Sequence, residues 1–323
     1  MTAVFLLNLG GPRNLDEVEP YLYELFSDPL VVDAPLGPLR KVLARIIARR
    51  RAPSSREKYR LIGGRSPLVE GTEAQARALA AALGPAFGVH LAMRCGQPST
   101  AEGVRQALAA GAGRAVALPL YPQWANATTR SSLLELRRRW PRELPLAEVC
   151  TWHDHPGYLA AVSATVADAL GRLPPGAGER PLVVFSAHGL PLGQVRRGDP
   201  YPTYVEASCR GVAERLGLGD WKVTYQSRVG PMRWLGPDTN EFVEASSRGR
   251  GVVTVPIAFV SEHLETLYDL DVLARQAAER GGAAGYARAA AVGTRPDFVA
   301  ALADLVRTAL RGAPAARTTE RDS

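Results

Sequence analysis

Short apolar runs recur at residues 4–7, 89–93, 115–120, 182–186, 223–226 and 252–260, with polar turns and amphipathic stretches between them. Runs of that length bounded by turn residues read as buried strands, and the wider period between them reads as helix. The alternation predicts βαβ units, hence an α/β protein with parallel sheets. It recurs on both sides of LPPGAGER at 173–180, the clearest linker-like composition, so two comparable lobes are expected. The divisions drawn are an N-terminal lobe over 1–160, a C-terminal lobe over 161–294, a terminal helix over 295–311 and a small, polar, charged tail over 312–323.

In open α/β sheets ligands collect at the carboxyl ends of strands. Here those ends read LNLGGP, MRCG, LYPQWANATTRSS, FSAHGLP, YQSRVGPMRWLGP and FVSEHLETLYDLD. The glycine pairs at 10–11 and 63–64 lack GxGxxG spacing, so they serve tight turns or close ligand approach rather than a dinucleotide fingerprint. His188 ends an apolar strand and precedes Gly189 and Pro191, which stop the strand and hold the imidazole at a turn. Downstream, Ser261 is placed to cap a helix carrying Glu262, Glu265 and Asp269 on one side, with His263 beside them as a further proton carrier or orienting group. Like charges at i, i+4 destabilise a helix by roughly 0.2–0.5 kcal/mol, so Glu265 and Asp269 call for a cation or a proton to relieve them. A solvated acidic face would carry the same letters, but the long apolar run leading in argues against it.

Imidazole and carboxylate together bind Fe²⁺, and either can act as a general base near neutral pH. Zinc would fit too, but SEHLE has neither the order nor the spacing of HExxH. His153 and His155 form an HxH that reads as a polar turn before a helix.

Composition bounds the rest. With 323 residues, 46% of them hydrophobic, the chain can build a large core without staples. Cys95, Cys150 and Cys209 are odd in number and form no CxxC, so neither a disulfide framework nor a zinc knuckle is indicated. The opening MTAVFLLNLGGP lacks a basic leader, and a cytoplasmic location is expected. The net charge of +7 is concentrated in residues 39–60, where Leu39, Val42, Leu43, Ile46 and Ile47 share one helical face among Arg and Lys. An ordinary docked helix would look similar. The functional reading is a greasy, cationic lip over 39–51 for an amphipathic anionic ligand or the inner membrane face. No aromatic-interleaved basic patch points to nucleic acid.

Taken in order, FSAHGLP (185–191), GDPYP (198–202), YQSRVGP (225–231), WLGP (234–237) and PIAFVSEHLETLYDLD (256–271) resemble the ferrochelatases. The likeness runs from LLNLGGP at residue 6 to the helix ending near 310, and includes YRLIGGRSPL (59–68) and LPLYPQ (118–123). It implies a chelatase fold of two Rossmann-like lobes with the terminal helix packed back on the body. It further implies Fe²⁺ insertion into a porphyrin with release of two protons, in haem synthesis. His188 and Glu265 would form the inner pair at the metal and pyrrole nitrogens, and His263, Glu262 and Asp269 an acidic path. Arg51, Tyr59 and Ser66 match positions that bind the propionate side in relatives, and Arg94 and Tyr121 line the same region. Trp234 and Trp152 would be aromatic cleft positions. Porphyrin and ferrous iron are the expected substrates, with neighbouring haem-pathway enzymes as further partners.

Some residues depart from the family pattern. Asn126 stands at the internal cluster cysteine of relatives that carry an iron–sulfur centre, and no cysteine follows Cys209, so no [2Fe–2S] cluster is expected. Leu9 stands where coproporphyrin-using relatives place a tyrosine, which leans toward the protoporphyrin branch. Arg65 replaces a glycine, Cys95 an aromatic residue, and Leu273 a further acid of the path. The rival readings are a non-catalytic tetrapyrrole or metal carrier and a cobalt or nickel chelatase on the same fold.

Overall fold

A computed structural model describes residues 1–32, 37–177, 181–228 and 232–312. Parts of the linker (178–180), of YQSRVGP (229–231) and of the tail (313–323) lie outside them.

Among the described residues, eight strands form two parallel sheets. β1 (Thr2–Asn8), β2 (Phe87–Met93), β3 (Arg114–Pro119) and β4 (Leu146–Glu148) lie in the order β2-β1-β3-β4. β5 (Leu182–His188), β6 (Trp221–Gln226), β7 (Gly251–Pro256) and β8 (Gly285–Arg288) repeat that order as β6-β5-β7-β8. In each sheet the chain passes to one side of the first strand and then to the other. The crevices therefore open beyond the carboxyl ends of β1 and β3 in one lobe and of β5 and β7 in the other.

Six of the strands follow the expected apolar runs. The last is shorter than its run: β7 ends at Pro256, which lacks the N–H to extend a ladder, and the remaining apolar residues form a turn in which Ile257 N–H reaches Ser186 O at 3.2 Å.

One core runs through both lobes. Val4, Leu6 and Leu118 of the first sheet share a buried cluster with Phe185, Val253 and Val255 of the second. Between them lie Trp152, Tyr158 and the helix Pro156–Leu170, inside which residue 160 falls. The terminal helix, Pro296–Gly312, inserts Phe298, Leu302 and Val306 from one face into the same cluster, against the helices Pro156–Leu170 and Leu68–Leu83. Full burial of side chains of this kind contributes about 1.5–3 kcal/mol each.

One sequence expectation changes here. Trp152 is a core residue rather than a cleft residue: it is 2% exposed, donates Nε1–H to Pro119 O at 2.9 Å and packs edge-on against Tyr158. The helix Leu39–Leu61 packs through Ala44, Ala48 and Ala52, a small-residue ridge at i, i+4 that lets the helix Val18–Ser27 approach closely. Its large apolar stripe consequently faces outward, with Leu39 66%, Val42 58% and Ile46 44% exposed. As expected, His155 caps a helix, accepting the Gly157 N–H at 3.2 Å, and Nδ1 of His153 meets the Thr151 hydroxyl at 3.0 Å. Among the described residues no helix is long and apolar enough to cross a membrane.

Candidate active site

His188 is the last residue of β5, and the chain turns away at Gly189, whose N–H bonds Gln226 O at 2.9 Å. A Cβ at Gly189 would lie 3.1 Å from that oxygen and 3.4 Å from the Trp234 ring, so the turn is closely packed. Trp234 bridges to Pro191 and lies beside the histidine's turn. Its indole N–H is buried and has no acceptor among the described residues.

Glu265 arrives from the segment after β7. The short helix Leu264–Leu267 is capped by His263, whose Nδ1 accepts the Glu265 N–H at 2.8 Å, and Thr266 Oγ1 accepts the His263 N–H at 3.0 Å. Ser261 is not the cap. Its hydroxyl donates instead to Gln75 Oε1 at 3.1 Å, so a residue 186 positions away has claimed it. Beyond Tyr268 the helix widens into a π-type turn, Asp269–Ala274.

These elements bring His188 Nδ1 and Glu265 Oε2 to 2.7 Å. The side chains are 37% and 26% exposed, so the pair opens to solvent at the strand ends. Burial opposes charge on both groups, but their mutual attraction outweighs it: the imidazole pKa is raised, and the Glu265 carboxyl is held below the usual carboxylate range. Asp269 responds the other way. Burial first, then the Glu265 charge, pushes its carboxyl up to about 6, and its Oδ2 accepts the Ser227 hydroxyl at 2.6 Å. The repulsion expected between the two acids is thus relieved by the histidine on one and by a proton close at hand for the other. Gln226 fixes the arrangement from β6, donating Nε2–H to Glu265 O at 3.0 Å and accepting the Ser186 hydroxyl at 2.6 Å.

Glu262 does not share the face of Glu265 and Asp269. It precedes the cap, accepts the Thr266 hydroxyl and the Ala291 N–H, and pairs with Arg288 at 2.9 Å. His263 is neutral by environment, since burial lowers its pKa, and its ring meets Phe259 edge-on at 4.2 Å.

The first lobe faces this pair through the C-terminal end of its long helix. Tyr59 is 5% exposed and packs with Leu264, and burial together with the Glu265 charge pushes its hydroxyl pKa up. Lys58 Nζ lies 5.2 Å from the Tyr268 ring centroid. Arg51 is half-buried over Phe26, and no carboxylate pairs with it among the described residues. Ser66 is buried beneath Gly11, where a Cβ would come within 2.6 Å of it, and its hydroxyl accepts the Leu68 N–H at 3.3 Å. Tyr121 is half-buried after β3, 3.3 Å from the Ser132 hydroxyl. Arg94, expected to line the same region, pairs with buried Asp28 at 2.6 Å and donates to Ser131 at 2.7 Å.

Sequence reading missed Gln226, Gln75 and Arg288 as supports of the site, and found GDPYP only by likeness. In that motif Asp199 is a joint between lobes, its Oδ2 accepting the Asn126 N–H at 2.8 Å.

The ferrochelatase family model matches residues 1–310. The chain belongs to the ferrochelatase family. A ferrochelatase of Synechococcus elongatus is 43% identical over 320 residues, covering 95% of this chain and 82% of that one. A ferrochelatase of Geobacter metallireducens is 40% identical over 315 residues, covering 95% and 98%. Among solved structures, SirB from Bacillus subtilis with Fe³⁺ superposes with a TM-score of 0.56 at 12% identity, covering 96% of this chain and 95% of that one. CbiX, the terminal enzyme for siroheme biosynthesis in denitrifying bacteria, gives 0.51 at 15% identity, covering 95% and 98%. Those two likenesses concern the fold: the two-lobe α/β architecture is that of chelatases. Family membership makes the chain a lyase of haem biosynthesis that inserts iron into a porphyrin.

Proposed function

We propose that the porphyrin lies between the strand ends of the two lobes, with His188 as the base for its pyrrole protons and Glu265, backed by Asp269, on the metal's side. The observation that carries this reading is the 2.7 Å contact between His188 Nδ1 and Glu265 Oε2. A neutral imidazole that donates Nδ1–H to Glu265 has its lone pair at Nε2. When a pyrrole N–H breaks, the electron pair stays on nitrogen as a ligand for Fe²⁺ and the proton passes to Nε2. The imidazolium that forms is then stabilised by the carboxylate already in contact with it. Glu265 can exchange water for the arriving cation. Asp269, with its carboxyl at about 6, is suited to accept and release a proton near neutral pH. His263 orients Glu265 through the N–H it accepts, and Glu262 anchors the segment.

Tyr59, Ser66, Tyr121 and Trp234 are assigned to the porphyrin, and Arg51, the open cation among the assigned residues, to its carboxylates. Arg94 acts through Asp28 and Ser131 rather than on the ligand. The outward stripe of Leu39, Val42, Leu43 and Ile46 among Arg and Lys fits peripheral contact with an anionic membrane from the cytoplasmic side. Co-flotation with vesicles containing anionic lipid, lost in Val42→Asp, tests that contact. Iron enters as substrate. An iron–sulfur cluster is not part of the proposal, and a [2Fe–2S] absorption band from purified protein would contradict that.

Anaerobic Fe²⁺ insertion, run side by side with protoporphyrin IX and coproporphyrin III, tests activity and substrate together. Turnover with either supports an iron-inserting enzyme. Porphyrin binding with no metalloporphyrin formed would turn the reading toward a carrier.

A further inference from the structure

Residues 262–271 carry four carboxylates, Glu262, Glu265, Asp269 and Asp271, but only Glu265 and Asp269 belong to the dyad's side. The other two converge on one cation. Arg288, at the end of β8, donates Nη1–H to Glu262 at 2.9 Å and 3.1 Å, and its Nη2 meets Asp271 at 2.9 Å. Its side chain is 11% exposed. The backbone beneath it is held as well: Arg288 pairs with Thr254 of β7, and its carbonyl accepts Arg172 Nη2–H at 2.6 Å.

The positions of the two partners matter. Glu262 immediately precedes the cap residue His263, and Asp271 lies in the π-type turn that begins at Asp269. A single rigid fork therefore grips the segment on both sides of Glu265. A guanidinium suits the task, because its planar donors meet two carboxylates in fixed directions, whereas an ammonium is a point charge with no fixed fork.

We propose that Arg288 is a positioning residue for metal insertion: it touches no substrate, but by clamping Glu262 and Asp271 it holds the segment that presents Glu265 to His188. The proposal rests on the His188–Glu265 reading given above. It also accounts for the charge pattern, since Arg288 neutralises the two outer acids and leaves Glu265 and Asp269 on the side of His188.

A merely structural ion pair would lower stability when removed, yet leave the turnover of each folded molecule unchanged. The test measures Arg288→Met and Arg288→Lys in the full chain. Folded fraction comes from near-ultraviolet circular dichroism, porphyrin affinity from fluorescence quenching, and kcat and KM from anaerobic Fe²⁺ insertion into protoporphyrin IX. Per folded molecule, kcat in Arg288→Met is expected to fall by about tenfold or more while porphyrin affinity stays within roughly threefold, the signature of lost alignment rather than lost binding. Arg288→Lys is expected to recover part of the loss, because an ammonium can meet one carboxylate at a time. Should Arg288→Met fail to fold, Glu262→Gln and Asp271→Asn each remove one arm, and each is expected to lower kcat by about threefold or more. Wild-type kcat per folded molecule in Arg288→Met, or in both arm variants, overturns the proposal. Turnover that survives His188→Ala would instead remove the dyad reading, and the clamp with it.

Discussion

Glu265→Gln keeps the shape of the side chain and removes its charge, so His188 loses its counter-ion while an amide oxygen can still occupy the 2.7 Å approach. A charge-assisted hydrogen bond contributes about 1.5–3 kcal/mol, and about 1.4 kcal/mol corresponds to one pKa unit. With 37% of the imidazole side chain and 26% of the carboxylate side chain exposed, solvent screens the pair and the low end applies. The His188 pKa should therefore fall in the variant. The sign of the stability effect follows from both partners. The His188 pKa is raised above its ordinary 6.5, so its contribution is full below that value and is lost as pH rises through the folded pKa. That of Glu265 is lowered beneath its ordinary 4.5, so its contribution is full above that value and is lost as pH falls through the folded pKa. The stability penalty of Glu265→Gln is accordingly greatest between pH 4.5 and 6.5 and shrinks above that window. Nuclear magnetic resonance titration of the His188 imidazole, with urea unfolding at matched pH values, reads both quantities. An unchanged or raised His188 pKa in the variant would refute the pairing.

Three further perturbations probe other parts of the account. Gly10 has φ +89° and a Cβ there would lie 1.8 Å from the Cys95 carbonyl oxygen, so Gly10→Ala is expected to cost about 2 kcal/mol or more in urea unfolding. Fully buried Gln75 bonds Val260 O at 2.8 Å, Gly293 O at 3.0 Å and the Ser261 hydroxyl at 3.1 Å. Gln75→Leu orphans these groups and should destabilise by roughly 2–4 kcal/mol, with faster amide exchange in the loop before Glu262. The folded state favours the protonated form of Asp269, whose pKa is about 6 against an ordinary 3.8, so its ionisation destabilises the protein as pH climbs through that range. Asp269→Asn should melt above wild type at pH 7 and level with it at pH 4, while losing turnover. A melting difference independent of pH would contradict the assignment.

The sheets were legible because buried strands leave unbroken apolar runs, but β4 and β8 were not. They are edge strands of three and four residues, and GYAR carries a glycine and an arginine where a run would need apolar residues. Periodicity showed that the 39–51 stripe was amphipathic without showing which way it faced. Alanines, weak as hydrophobic signals, do the packing, and the large residues are left outside. At the site, His188, Glu265 and Asp269 were findable from strand-end position and ordered motifs. The cap was misread because Ser ranks above His as a cap by propensity, while the tertiary contact with Gln75 removed the serine from competition. Arg288 gave no signal at all: a lone arginine on an edge strand is informative only once Glu262 and Asp271 are seen to converge on it.

The most direct test of the central claim is anaerobic Fe²⁺ insertion by His188→Ala, with porphyrin binding measured on the same sample by fluorescence. The account predicts that metalation falls to near background while porphyrin still binds, because the variant loses the acceptor for the pyrrole protons and keeps the walls of the site. Insertion at the wild-type rate by His188→Ala would contradict it.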